Sequence, residues 1–139
     1  MKKTIRVVGF IAQYEDSILL LHRSEKETDP SLWGVPAGKP EGAETDSEAV
    51  IRELSEETGI RLDESEISYV GKLDIEYEAV IVEFPIFHKK FDQAPSITLD
   101  PNEHVDCKWI RPSEALELPN LMLDVDKIIK DFCIDTLKI

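Results

Sequence analysis

Apolar and polar residues alternate through "TIRVVGFIAQY", and an apolar run follows in "SILLLHR". This pattern predicts strands over Thr4 to Tyr14 and Ser17 to His22, joined by a turn at Glu15-Asp16. Three further strands are expected over Ile67 to Ile75, Ala79 to His88 and Cys107 to Ile110. The period changes to that of a helix twice. From Asp46 to Thr58 the apolar Val50, Ile51 and Leu54 fall on one side, Thr45 and Glu48 form a capping box, and Gly59 suits the left-handed C-terminal position. From Leu121 to Leu137 the residues Leu121, Val125, Ile128, Ile129, Phe132 and Leu137 recur at helical spacing, which reads as a packing helix.

Between the early strands and the first helix lies "SLWGVPAGKPEGAETD", too punctuated by glycine and proline for a regular element. It is a loop that delivers the chain to the helix. Backbone amides at a helix N-terminus favour anions, and hard cations accept carbonyl oxygens beside carboxylates, so chemistry is expected at this junction.

The chain of 139 residues suits one α/β domain able to bury a core without staples, and it contains no internal repeat or low-complexity tract. With no apolar run of membrane-spanning length, and with strand alternation in place of a cleavage pattern near the start, a cytoplasmic protein is expected. Cys107 and Cys133 lack metal-ligand spacing and are expected as free thiols. The formal net charge of −13 opposes a nucleic-acid polymer, whose binding rests on Lys and Arg neutralising phosphates. A small phosphate ligand remains compatible if a divalent metal stands between it and the protein carboxylates.

The helix gathers that charge in one place. At about 100° per residue, Arg52, Glu53, Glu56 and Glu57 fall within an arc of about 140°, opposite the apolar side. Carboxylates three and four positions apart repel one another. The block is either a solvated face or a cation site.

Loop and helix together read Gly38, five residues, Glu44, seven residues, then Arg52-Glu53-Leu54-Ser55-Glu56-Glu57-Thr58-Gly59-Ile60. This pattern resembles the Nudix box of the MutT-like Nudix hydrolases. The flanks "ILLLHR", "LWGVPAGK" and "EHVDCKWI" resemble the same family, so the likeness runs along the chain. It implies an α/β/α sandwich around a mixed sheet, and Mg²⁺-dependent hydrolysis of a pyrophosphate bond in a nucleoside diphosphate linked to another group, with Mn²⁺ as an alternative ion. A nucleoside triphosphate or related nucleotide is the expected substrate. The alternative is a Nudix-like domain that binds a nucleotide without cleaving it. The protein is expected as a monomer or homodimer.

By the same resemblance, Glu53, Glu56 and Glu57 carry the metal, with the carbonyl of Ala37 or Gly38 as a further oxygen ligand, while Arg52 and Glu44 orient the ligating carboxylates. Arg52 is also placed to pair with Glu56 along the helix. The base that activates water lies within the box in some members and on a later loop in others, where Glu103 is this chain's candidate. Arg23 and Lys39 are the cations placed to meet phosphate. His104 reads as a loop bystander, His22 and His88 carry no assignment, and Trp33 and Trp109 read as core or site-wall residues. A tyrosine at about the distance of Tyr77 from the box accompanies activity on diadenosine polyphosphates in some relatives. Two departures from the common family pattern stand in the loop: Ala37 replaces the first of a glycine pair, and Gly42-Ala43 precedes Glu44 where glycine more often adjoins that glutamate. An alanine forced into a left-handed backbone at position 43 would cost about 1 kcal/mol.

Overall fold

A computed structural model of the chain describes residues 1–27 and 30–139. The strands are β1 (Lys3–Arg6), β2 (Val8–Tyr14), β3 (Ser17–Arg23), β4 (Trp33–Gly34), β5 (Ala37–Gly38), β6 (Ser68–Glu76), β7 (Val80–Phe91) and β8 (His104–Ile110). The helices are α1 (Asp46–Thr58), α2 (Pro112–Ala115) and α3 (Val125–Ile128), which runs on into a π-helical segment over Ile129–Thr136.

The eight strands form one mixed sheet. β1 and β2 run parallel to β7, and β6 pairs β7 antiparallel on its other edge. β2 pairs β3 only at the hairpin, through Gln13 with Ile18 and Tyr14 with Ser17. Beyond that point the two strands splay. β5 pairs with Val8 and Gly9 of β2, and β4 pairs with Leu21 and His22 of β3, so this pair of two-residue strands fills the fork. β8 closes the far edge against β3.

The first predicted strand is one line of chain interrupted at Val7. The Val7 amide donates to the Glu83 carbonyl at 2.9 Å. The next rung of a parallel ladder would need an amide proton from residue 85, which is Pro85 and has none. The ladder resumes at Gly9 with Ile86 in the same register.

Side chains alternate between two cores. Val8, Phe10, Ala12, Leu19 and Leu21 pack with Ala49, Val50 and Leu54 of α1. Ile11, Ile18 and Leu20 pack with Val125, Ile128, Ile129, Phe132 and Cys133 on the opposite face. The sheet is thus covered on both sides, which makes the α/β/α sandwich and accounts for the unbroken "ILLL" run in β3. Leu54, 1% exposed, anchors α1; full burial of such a side chain is worth about 1.5–3 kcal/mol.

α1 begins and ends as its sequence predicts. Thr45 and Glu48 form both bonds of the capping box, and Gly59 takes the left-handed conformation at φ +76°. The C-terminal helix does not. Leu121 makes an isolated bridge with Trp33, Asp124 turns left-handed at φ +71°, and the helix starts only at Val125. Its later part shifts to wider turns, as in the Leu137 amide bonding the Phe132 carbonyl at 2.8 Å. Both cysteines are free thiols, and among the described residues no helix is long and apolar enough to cross a membrane.

Candidate functional site

The loop reaches α1 with its left-handed residue at Gly42, φ +55°, while Ala43 is not among the residues of positive φ. The shifted glycine therefore serves the turn without strain at alanine. Arg6 at the end of β1 grips Asp46 in the first turn of α1, Nε to Oδ1 at 2.8 Å, and fixes the helix on the sheet.

Arg52 is the hub of the acidic face. Its Nε donates to Glu44 Oε2 at 2.8 Å and its Nη2 to Glu44 Oε1 at 3.0 Å, a bidentate grip. Nη1 donates to Glu53 Oε1 at 3.0 Å and to Glu56 Oε2 at 3.2 Å, and Nη2 also reaches the Lys39 carbonyl at 3.0 Å. One guanidinium ties the loop to two of the three glutamates. Glu44 also accepts from the Glu41 amide at 2.8 Å, and Arg52 holds its carboxyl below the usual range.

Glu57 lies inward, 7% exposed, and accepts from the Ala37 amide at 3.1 Å. Burial, aided by the charges of Glu53 and Glu103, pushes its pKa up to about 9 against the opposing pull of the Ala37 amide and Arg23. Burial likewise raises Glu53, with Glu56 and Glu103 adding to the effect and Arg52 opposing it. Glu103 is raised by burial and by Asp100, Glu27 and Glu56. The loop before β8 thus carries Glu103 close enough to α1 for its charge to raise Glu53 and Glu57, and for Glu56 to raise it in turn. Glu56 remains exposed on the outer side.

The carboxylate of Glu53 rests on the α-carbon of Gly38. A β-carbon at residue 38 would overlap it. Among the described residues no three His, Cys, Asp or Glu side chains already converge as a finished metal cage. The donor set nevertheless fits a hard divalent cation: carboxylates on neighbouring turns of α1, the peptide at Ala37 beside Glu57, and a cradle at Gly38 cut to the size of a carboxylate. Carboxyls raised by burial and by one another are the groups a cation would return to the ionised form.

Two hollows adjoin this face. A cavity of about 50 Å³ is lined by Glu57, Arg23, Ala37, His104 and neighbouring apolar residues. An open cleft of about 380 Å³ is lined by Val7, Tyr77, Val82, Phe84, Met122 and Leu123 together with Arg23, Ala37, Gly38 and Lys39. Arg23, Ala37 and Met122 border both. Arg23 also pairs with Glu27 at 3.5 Å.

Several side chains differ from their sequence reading. His104 is no loop bystander: it opens β8, is 6% exposed and lines the cavity. Its pKa is lowered by burial and by Arg23. The Tyr77 hydroxyl donates to Asp124 and so is already engaged within the protein. Trp33 is a core residue, as one of its two readings had it, with its ring stacked on His22 at 4.4 Å and capped by the Lys108 ammonium at 4.2 Å. Trp109 meets Tyr14 edge-on at 6.1 Å. The cleft wall at Met122-Leu123 escaped the sequence reading because "LMLD" continues the apolar spacing of the helix behind it. Asn120 and Asp124, residues that favour turns and left-handed backbone, were the available signal.

Comparison with known proteins agrees with this geometry. The NUDIX domain family model matches residues 2–132. The chain is 33% identical over 125 residues to a CTP pyrophosphohydrolase of Escherichia coli, covering 88% of this chain and 87% of that protein. It superposes on the MutT protein of Methanosarcina mazei with a TM-score of 0.82 at 25% identity, covering 96% of each chain. A bifunctional NMN adenylyltransferase/ADP-ribose pyrophosphatase of Francisella tularensis, in complex with AMP and an Mn ion, matches at TM-score 0.75 and 25% identity, over 94% of this chain and 41% of that one. A family match along nearly the whole chain, joined to a loop and acidic helix held together by one Arg52 hub, shows that this chain belongs to the Nudix hydrolase family, whose members act on nucleotide pyrophosphates.

Proposed function

We propose that the chain hydrolyses the phosphoanhydride of a nucleoside triphosphate, releasing a nucleoside monophosphate and pyrophosphate. The observation that carries this reading is the shared lining of the cavity beside Glu57 and the apolar cleft: Arg23, Ala37 and Met122 line both, and Lys39 lines the cleft. A base on the apolar wall would leave its phosphates at the loop, within reach of α1. The relative named CTP pyrophosphohydrolase supports a triphosphate over other nucleotides.

In this reading Glu53, Glu56, Glu57 and the Ala37 carbonyl would hold Mg²⁺, which would supply neutralisation of the charge that develops on the phosphate oxygens. Arg52 orients Glu53 and Glu56, and Glu44 keeps Arg52 in place. Arg23 and Lys39 bind the phosphate oxygens. Glu103 or Glu53 takes the proton of the attacking water as its oxygen bonds to phosphorus and the bridging oxygen leaves with pyrophosphate. Burial raises both carboxyls above the ordinary carboxylate value, which makes each a stronger proton acceptor than an exposed carboxylate. The protein acts in the cytoplasm on free nucleotides.

A panel of nucleoside triphosphates, ADP-ribose, a nucleotide sugar and a diadenosine polyphosphate, assayed with Mg²⁺ and with chelator, tests the proposal. Turnover of triphosphates ahead of the other classes, abolished by chelator, is expected. Preference for ADP-ribose or the dinucleotide would overturn the substrate class. Binding without turnover across the panel would favour a domain that holds nucleotides without cleaving them.

A further inference from the structure

Among the described residues, the one buried side-chain nitrogen or oxygen without a hydrogen-bond partner is Nδ1 of His104. The imidazole is 6% exposed, and the backbone amide of the residue is held by the Asp100 carbonyl at 2.9 Å. Its ring lines the cavity of about 50 Å³ that also borders Glu57 and Arg23. Buried polar atoms are almost always satisfied by protein or by ordered water. A water occupies roughly 30 Å³ in the liquid and needs two to four polar partners. The space admits at least one water, and the His104, Glu57 and Arg23 side chains that line it supply partners.

We infer that this cavity is a built water site, and that the water held there makes His104 a positioning residue for Glu57. Among the described residues, the one hydrogen bond that orients Glu57 from the loop comes from the Ala37 amide to Oε1 at 3.1 Å. A single contact leaves the carboxylate free to turn about its last torsion, which is broad and soft. A second contact through water fixes its plane. It also ties the start of β8, where Glu103 precedes His104 and accepts from the Ser24 amide at 2.9 Å, to the helix that carries Glu57. Groups that orient a metal-ligating carboxylate typically contribute 10 to 100-fold in metal affinity. The inference rests on the reading of Glu57 as a metal ligand.

Two variants separate this role from simple packing. His104→Phe keeps the ring and removes the nitrogen, whereas His104→Asn gives up the ring and keeps a polar atom near the place of Nδ1. Mn²⁺ affinity is followed by the electron paramagnetic resonance of the free ion. His104→Phe is expected to weaken Mn²⁺ binding about tenfold, with His104→Asn within about threefold of the parent protein. A packing role reverses that order, and any result in which His104→Phe is not the weaker binder overturns the inference. A high-resolution crystal structure of the unmodified protein gives a second readout that does not depend on the variants folding. Density for a water within hydrogen-bond reach of both Nδ1 and Glu57 is expected, and an empty cavity overturns the inference. The expected Mn²⁺ order without nucleotide turnover would reject the proposed function alone. Normal turnover with undiminished Mn²⁺ binding by His104→Phe would reject this inference alone.

Discussion

Arg52 and Glu44 are joined by two parallel hydrogen bonds, Nε to Oε2 at 2.8 Å and Nη2 to Oε1 at 3.0 Å, and the same guanidinium extends to Glu53 and Glu56. The pair locks the loop to the helix at the point where the acidic face begins. Its geometry needs the planar fork of arginine, which lysine cannot reproduce.

Arg52→Lys is therefore expected to lower Mg²⁺-dependent turnover by about 10 to 100-fold, with thermal stability reduced by only a few degrees. Glu44→Gln should give a smaller loss. Combined, the two changes should cost less than the sum of their separate effects, because each breaks the same grip. A double-mutant cycle on kcat measures this. Additive losses would show that Glu44 does not act through Arg52.

Gly38→Ala isolates the cradle under Glu53. The new methyl group would overlap a carboxylate at the free end of a flexible side chain, so the side chain moves and the fold holds. The expected result is a melting temperature within about 2 °C of the parent, about 1 kcal/mol or less, and a fall in turnover of roughly tenfold or more. Unchanged turnover would mean that Glu53 need not sit on Gly38.

The proton on Glu57 governs stability in the absence of metal. Glu57 faces Glu53, Glu103, Arg23 and the Ala37 amide. The folded protein retains this proton up to about pH 9, whereas the ordinary value is 4.5. Below about pH 4.5 the group therefore contributes its full stabilisation, and that contribution is lost as pH rises toward 9. Chelator-treated protein should melt at lower temperature at pH 8.5 than at pH 6. Glu57→Gln, neutral throughout, should flatten this dependence, melt higher than the parent at pH 8.5, and lose roughly a hundredfold or more in kcat. Parallel melting curves for the two proteins across this range would remove the buried proton from Glu57.

The water-activating carboxylate is identified by comparing Glu103→Gln with Glu53→Gln in single-turnover experiments, which separate chemistry from product release. If Glu103 is the base, its variant should lose about 10² to 10⁴-fold with Mg²⁺ affinity nearly unchanged. If Glu53 is the base, the larger loss moves there and Mg²⁺ affinity falls with it. Small and equal losses in both variants would exclude both residues.

The helix and its acidic face were legible because they are local. The capping box, the C-terminal glycine and the spacing of Arg52, Glu53, Glu56 and Glu57 all lie within a few turns of one another. β4 and β5 were hidden because each is two residues long and exists only through the fork between β2 and β3, a tertiary circumstance. The break at Val7 was written in Pro85, but only the pairing of two distant strands brings the missing amide opposite that residue. Leu121 was drawn into the last helix by its spacing, and the left-handed Asp124 then sets the true start at Val125. His104 read as loop surface because a single imidazole carries no periodicity from which burial can be judged.

The most direct test of the central claim follows the products of CTP hydrolysis by ³¹P NMR, with Mg²⁺ and with excess chelator. The account predicts CMP and pyrophosphate in the first case and intact CTP in the second. Formation of CDP and inorganic phosphate, or turnover that survives chelation, would contradict it.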